Sequence, residues 1–391
     1  MDLRVDDFSL MRGGPTWRAL QPLTRLFPNV RPASRIVVTL LLLLTLVPPA
    51  ILAWRAGTLL PGSVTRPFAA DWFVLSRFLF AVPLLVLAAR FSDRMVGHAV
   101  RQLSNSGVVA EESRPQYEHI LATALRKRDA WWPEVICLML AFAPTIMIWL
   151  ALSTMDFGPA QDSWWRFDAV GDPSAAAVWL ELVAAPLFRF VLLLWLWRFL
   201  LWTWILWRLS RLPLALRATH PDHACGLAFL GLAQSRFAVI SAAGSMVLCG
   251  NGINQMLYDD AKLISFQYEI AAYVIAATAL LLGPLLVLSI SLARTKVLDM
   301  ARYDAMGQRL VQAFDAQWED MPAPAMLDCP SPQTMADFSS VHENIRATAV
   351  VPLNRWHLVR MLAAALLPFA PLLFISMSLD ELLGRMLSVL V

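Results

Sequence analysis

Seven stretches of roughly twenty mainly apolar residues are spaced along this chain, and each is about long enough for a helix to cross ~30 Å of hydrocarbon. By sequence they run Ile36 to Trp54, Trp72 to Ala89, Trp132 to Ser153, Ala175 to Trp207, Gly226 to Gly250, Ile270 to Leu292 and Leu358 to Met377. Within lipid a spanning segment must satisfy its own backbone, so runs of this length read as helices. The expected fold is all-α: a polytopic transmembrane helical bundle of about seven spans with cytoplasmic helical extensions. Composition agrees, with 58% hydrophobic and only 16% charged residues, against about a quarter charged in soluble domains. Many of the 16 Trp lie near run ends, where an amphipathic ring suits the interface. The first run begins after Arg35 and is too long for a signal-peptide core, so it reads as a retained span. The fourth is too long for one upright crossing and must tilt, kink at Pro186 or project beyond the bilayer.

Loop charge orients the bundle. Residues 1–35, 90–130, 208–225 and 293–357 carry 22 of the 32 Lys and Arg, and the loops of the other side carry 5. The positive-inside bias then predicts a bacterial inner-membrane protein with a cytoplasmic N-terminus and a periplasmic C-terminus. The outer loops are acidic, with Asp156, Asp162, Asp168, Asp172, Asp259 and Asp260. The chain divides into a cytoplasmic segment 1–35, spans one to six over 36–292 with a cytoplasmic helical loop at 91–130, a cytoplasmic helical segment 293–357, and span seven with a short outer helix over 358–391. Because the basic residues follow this topology, they imply no nucleic-acid partner. Cys137, Cys225, Cys249 and Cys329 form no CxxC pair, so neither a zinc ribbon nor a redox motif is indicated.

Outside the spans, Ser113 and Pro115 mark a helix start, and Tyr117 to Lys127 continues it. Lys296 to Trp318 reads as an amphipathic helix prolonging span six, and Ser331-Pro332 as the start of another. The string Pro83 to Leu87 matches Pro284 to Leu288, and Phe142-Ala143-Pro144 matches Phe369-Ala370-Pro371. Spans one to three and five to seven are either parallel repeats, as transporters show, or a chance match of Leu- and Pro-rich strings. Prolines within the spans free backbone carbonyls, either as ordinary kinks or around a cavity. Span five is rich in small residues, which let helices approach closely, within one chain or between subunits.

Charges inside the membrane carry the most functional information. Arg189 falls midway along span four, and Arg236 ten residues into span five, ~15 Å deep by helical rise. A charged side chain at that depth costs at least about 2.5–3.5 kcal/mol and marks a functional position by default. Arg77, Glu181 and Glu269 fall near the outer edge, so Arg77 is expected to pair with Glu181 or Glu269. Arg198 and Glu134 are expected to pair towards the inside. Arg189 and Arg236 have no acid at their own level, which predicts an electropositive band near the midplane. Either these arginines bond freed carbonyls, or Glu181 two turns away, or they line a path for an anion or grip a phosphate or lipid headgroup, which guanidinium matches bidentately.

The turn between spans four and five reads Thr219-His220-Pro221-Asp222-His223-Ala224-Cys225-Gly226. Asp222 suits the cap of the next helix, Pro221 fixes the approach and Gly226 permits close packing. The competing reading makes His220, Asp222, His223 and Cys225 zinc ligands, although their spacing matches no familiar zinc motif. A third uses the histidines as a proton-responsive gate. Trp207-Arg208-Leu209-Ser210-Arg211-Leu212, then His220-Pro221-Asp222 with Gly226-Leu227 and Phe229-Leu230, resembles an uncharacterised family of proteobacterial multi-pass inner-membrane proteins with an HPD-x3-GL motif. Met335-Ala336-Asp337-Phe338 through Leu379-Asp380-Glu381-Leu382-Leu383 is similar to it as well. The resemblance covers roughly the C-terminal half, implies a membrane protein of the same build and brings no activity with it. That family usually has Gly where this chain has Cys225.

No phosphate loop, HExxH, GxSxG or nucleotide fingerprint occurs, and no cofactor is expected. Three functions stay open: a channel or transporter for a small solute or anion, a membrane enzyme acting on a lipid or amphiphile at the cytoplasmic face, and a sensor or assembly factor. Beyond the lipid bilayer, the partners to expect are a second copy of the chain or a cytoplasmic protein bound through 293–357.

Overall fold

The apolar runs fold as helices throughout. The computed structural model describes residues 8–26, 33–154, 163–165, 173–319 and 331–376. Among these, seven helices are long and apolar enough to cross a membrane: Ser34–Arg55, Trp72–Asn105, Trp132–Leu150, Ala175–Leu209, Ala228–Tyr258, Leu263–Leu286 and Arg355–Ser376, spans one to seven. The protein is a helical membrane protein. Its C-terminal outer segment, most of the acidic loop between spans three and four, and Cys329 lie outside the described residues.

Three boundaries differ from the sequence reading. Span five does not begin at Gly226, which belongs to the preceding turn at φ +86. Its first piece, Ala228–Ser235, breaks at Arg236 and Phe237 before the helix Ala238–Tyr258. Span six ends at Leu286, and the helix expected to prolong it starts afresh at Ser289 and runs to Glu319. Pro284 lacks a donor and crowds its own turn, and the chain leaves α geometry within one turn of it. The matched prolines occupy unlike settings. Pro83 opens an α-helix, whereas Pro284 stands near a helix end.

Spans two and four each contain a π-helical segment, Ser76–Ala81 and Leu180–Ala184. Each stands just before a proline, Pro83 and Pro186. A proline cannot bond the carbonyl four residues back, and a wider turn accommodates the mismatch. Accordingly Val82 N donates to Arg77 O and Ala185 N to Leu180 O, five residues back. The long fourth run therefore has its irregular turn immediately before Pro186 and continues as an α-helix to Leu209.

Span five makes the broadest contacts in the bundle, on span two and on span seven, and spans three and four pack against each other. At Gly250 an added Cβ would collide with the Trp72 backbone and Ser76, and at Gly244 with Tyr273. These small residues therefore serve contacts within one chain. Phe78, Leu85, Trp202, Leu206 and Phe237 fill the interior, while Met139, Met147 and Ile275 are exposed on the outside, where hydrocarbon would cover them.

The end of the bundle that carries most of the basic residues, called the basic end below, also holds the extramembrane helices. Helix Arg114–Asp129 starts with Pro115 in its first turn, as expected. Helix Ser331–Ala347 lies against Ser289–Glu319, with Tyr303 stacked on Phe338 and His342 bonded to Asp304 at 2.7 Å.

Candidate functional site

The two π segments deliver one charge each. Arg77 sits in the first and Glu181 in the second. Arg77 is buried, at 8% exposure. Its guanidinium carbon lies 4.1 Å from the centre of the Phe73 ring, with Phe188 at 5.6 Å and Phe78 at 6.0 Å. Its Nε is buried with no hydrogen-bond partner among the described residues. Arg77 thus pairs with neither expected acid. Glu181 is engaged by Arg189, and Glu269 stands exposed in the first turn of span six, beside a small cavity lined by Phe266, Phe369 and Leu372.

Arg189 does have an acid within reach. Its Nη2 lies 3.4 Å from Glu181 Oε2, and its Nη1 donates to Thr145 Oγ1 at 2.8 Å. Thr145 in turn donates to the Glu181 backbone carbonyl at 2.9 Å. This is the alternative in which Arg189 reaches Glu181 two turns away: both residues lie on span four, and the long guanidinium reaches back along the helix. Asp71, the next acid towards that end, is bonded by Phe73 N, Val74 N, Trp164 Nε1 and Asn254 Nδ2, neutral donors that leave its charge in place, so Glu181 and Asp71 balance Arg77 and Arg189.

Arg236 is not at mid-depth. Its carbonyl accepts from Ser92 Oγ at 3.4 Å, and Ser92 is twenty residues, ~30 Å of helix, from Trp72 at the other end. Ala238–Tyr258 alone is 21 residues, enough for a ~30 Å crossing, so Arg236 precedes the crossing and its side chain is exposed. The depth inferred from sequence assumed one straight helix from Gly226. No electropositive midplane band forms.

Arg198 and Glu134 pair at 3.5 Å as expected, with both side chains only 6% exposed. They occupy the basic end of the seam between spans three and four. Ionisable groups therefore follow one another along spans two, three and four: Glu134 and Arg198, then Arg189 and Glu181, then Arg77. Comparison with protein-family models, with curated proteins and with solved structures finds no match to this chain. What the seam can do follows from its own chemistry: guanidinium groups held out of water favour an anion, and a carboxylate beside them keeps that attraction moderate.

The turn at His220 has a different logic. Asp222 Oδ1 accepts from Ala224 N at 2.9 Å and Gly226 N at 3.0 Å, and Oδ2 from Ala228 N at 3.0 Å. His220 Nδ1 lies 2.9 Å from Asp222 Oδ1. His223 and Cys225 take φ of +53 and +55 to aim those amides inward. Burial opposes the Asp222 charge, but the three N–H donors outweigh it and hold the carboxyl below its ordinary value. Burial pushes the Cys225 thiol up to about 11, which disfavours the thiolate that binds metal. Among the described residues no three His, Cys, Asp or Glu side chains converge as a metal site. Asp222 chiefly folds the turn itself: only the bond from Ala228 N reaches the helix, whose N-cap is Leu227, with no side-chain cap bond.

Sequence reasoning missed Thr145, Asp71 and Asp93. Asp71 stands directly before an apolar run and caps its helix, a signal that was present. Thr145 and Asp93 have no local signature, since their partners are at least 36 residues away.

Proposed function

We propose that the protein is a channel- or transporter-like membrane protein that passes a small anion along the seam of spans two, three and four, in a bacterial inner membrane with its basic end cytoplasmic. One observation carries this reading: Arg77 is buried in a membrane-spanning helix, with a buried Nε that has no hydrogen-bond partner among the described residues. A buried polar group left without a partner costs about 1–3 kcal/mol, and more when charged, and is kept where it has work to do. The flanking aromatic rings exclude water, and Arg189 and Glu181 complete a polar step towards Arg198. The loop-charge bias supports the orientation.

The test is anion flux in liposomes carrying the purified protein. Flux above empty liposomes is expected, and Arg77→Gln should reduce it at least tenfold, with Arg189→Gln next. Flux equal to that of empty liposomes, or unchanged in Arg77→Gln, would remove the reading.

The enzyme alternative is less supported at Asp222, which backbone donors occupy, while His220 and His223 are exposed. A docking role for 293–357 is favoured by Val297 and Leu298, 67% and 71% exposed on the helix Ser289–Glu319. Loss of a co-purifying partner in Leu298→Asp would support it.

A further inference from the structure

At the basic end the seam is covered by the chain's own residues 8–16. Phe8 and Leu10 are buried, at 4% and 0% exposure. Asp93 at the end of span two accepts from Ser9 Oγ, Leu10 N and Met11 N at 2.8–2.9 Å, and Arg12 Nε lies 3.5 Å from it. Gly14 N donates to Asp129 at 2.9 Å, and Thr16 bonds Glu134 through N at 2.7 Å and Oγ1 at 2.5 Å. Arg198 Nη2 donates to Gly13 O at 2.8 Å, and Arg128 to Ser9 O.

Three features set this segment apart from an ordinary terminal coil. Its clamps come from four elements: span two, the end of helix Arg114–Asp129, span three and span four. The Glu134–Arg198 pair that ends the seam is shielded by it, since Gly13, Gly14 and Thr16 lie directly on those two groups. Gly13 and Gly14 take φ of +150 and +92, and an added Cβ at either would run into Arg128, Asp129 or Glu134, so the backbone passes as close as it can. The segment has few apolar anchors, and its other ties are polar bonds that water can replace.

We infer that residues 8–16 are a strap that closes the basic mouth of the seam and must lift from Glu134 and Arg198 for an ion to pass. This rests on the transport reading. While the strap is down, Arg198 and Glu134 spend their hydrogen bonds on it and on each other. When it lifts, both face water and present a charged entrance.

Ser9 and Asp93 face each other across the strap, so a Ser9→Cys, Asp93→Cys double variant can pin it. Flux is measured in liposomes under oxidant and after dithiothreitol, with wild type under the same treatment as control. Pinned protein should pass anions at least tenfold more slowly than its reduced form, and the reduced form should match or exceed wild type. In a second variant, Leu10→Ser, which leaves every carboxylate in place, flux should rise several-fold. Equal flux in oxidised and reduced double variant, with wild type conducting, would overturn the strap and leave the transport reading standing. Absence of flux in wild type and both variants would overturn the two together.

Discussion

Spans two to four and spans five to seven handle polarity in opposite ways. In the first group Asp71, Arg77, Asp93, Glu134 and Arg198 are buried, and Arg189 and Glu181 join them half-buried. In the second group the buried polar residues are uncharged: Gln234, Ser235, Ser241, Ser245 and Asn254. Arg236, Glu269, Arg355 and Arg360 are all exposed there. Buried Gln234 is tied off, accepting from Trp202 Nε1 at 2.9 Å and donating to Leu281 O at 2.6 Å, whereas Ser241 Oγ and Thr278 Oγ1 have no partner among the described residues. One part of the bundle is held by close packing of small residues and caps, and the other keeps charge inside at a cost.

The contrast can be broken by mutation, and the largest effect is expected at Arg198. Arg198→Met leaves Glu134 buried without its charge partner, which costs about 3–5 kcal/mol. A thermal unfolding midpoint in detergent close to wild type would show that the polar half is not held by its charges. Asp222 sits at the joint between the halves, and Asp222→Asn should cost about 2–3 kcal/mol at neutral pH through its lost charge-assisted bonds. Its folded carboxyl is held below the ordinary value, so its stabilisation is complete above about pH 4 and is lost as pH falls through the depressed value. The gap between wild type and variant should therefore narrow at pH 3, and a constant gap would contradict that stabilisation.

In the packed half, size should matter instead. Gly250→Leu forces a side chain against the Trp72 backbone and should cost about 1–3 kcal/mol, read as a lower unfolding midpoint. His223→Gly relieves a left-handed backbone at an exposed residue and should stabilise by about 1 kcal/mol. Loss of stability would show that the imidazole holds something in place. Smallest of all, Arg236→Gln should stay within about 0.5 kcal/mol with flux unchanged, because the residue stands outside the seam.

Much of this was legible beforehand. Span number, a disturbance of span four near Pro186 as one of three options, and the Arg198–Glu134 pair follow from run length, proline chemistry and the cost of unpaired charge. Arg236 was misplaced because depth was counted along one helix that in fact restarts at Ala238. Arg77 was assigned a carboxylate that Arg189 already holds, and a one-dimensional reading cannot decide which of two arginines reaches a shared acid. The strap was invisible for a related reason: Gly13-Gly14 shows no pattern until Asp129 and Glu134 arrive beside it.

The sequence by itself determined that this chain crosses a membrane about seven times, because hydrocarbon imposes a length and a polarity on every segment within it. Only the tertiary structure decided which charges meet and which stands among aromatic rings instead. Those outcomes depend on where a helix breaks and on which side chains distant segments bring within 3 or 4 Å, distances that no spacing along one strand of residues encodes.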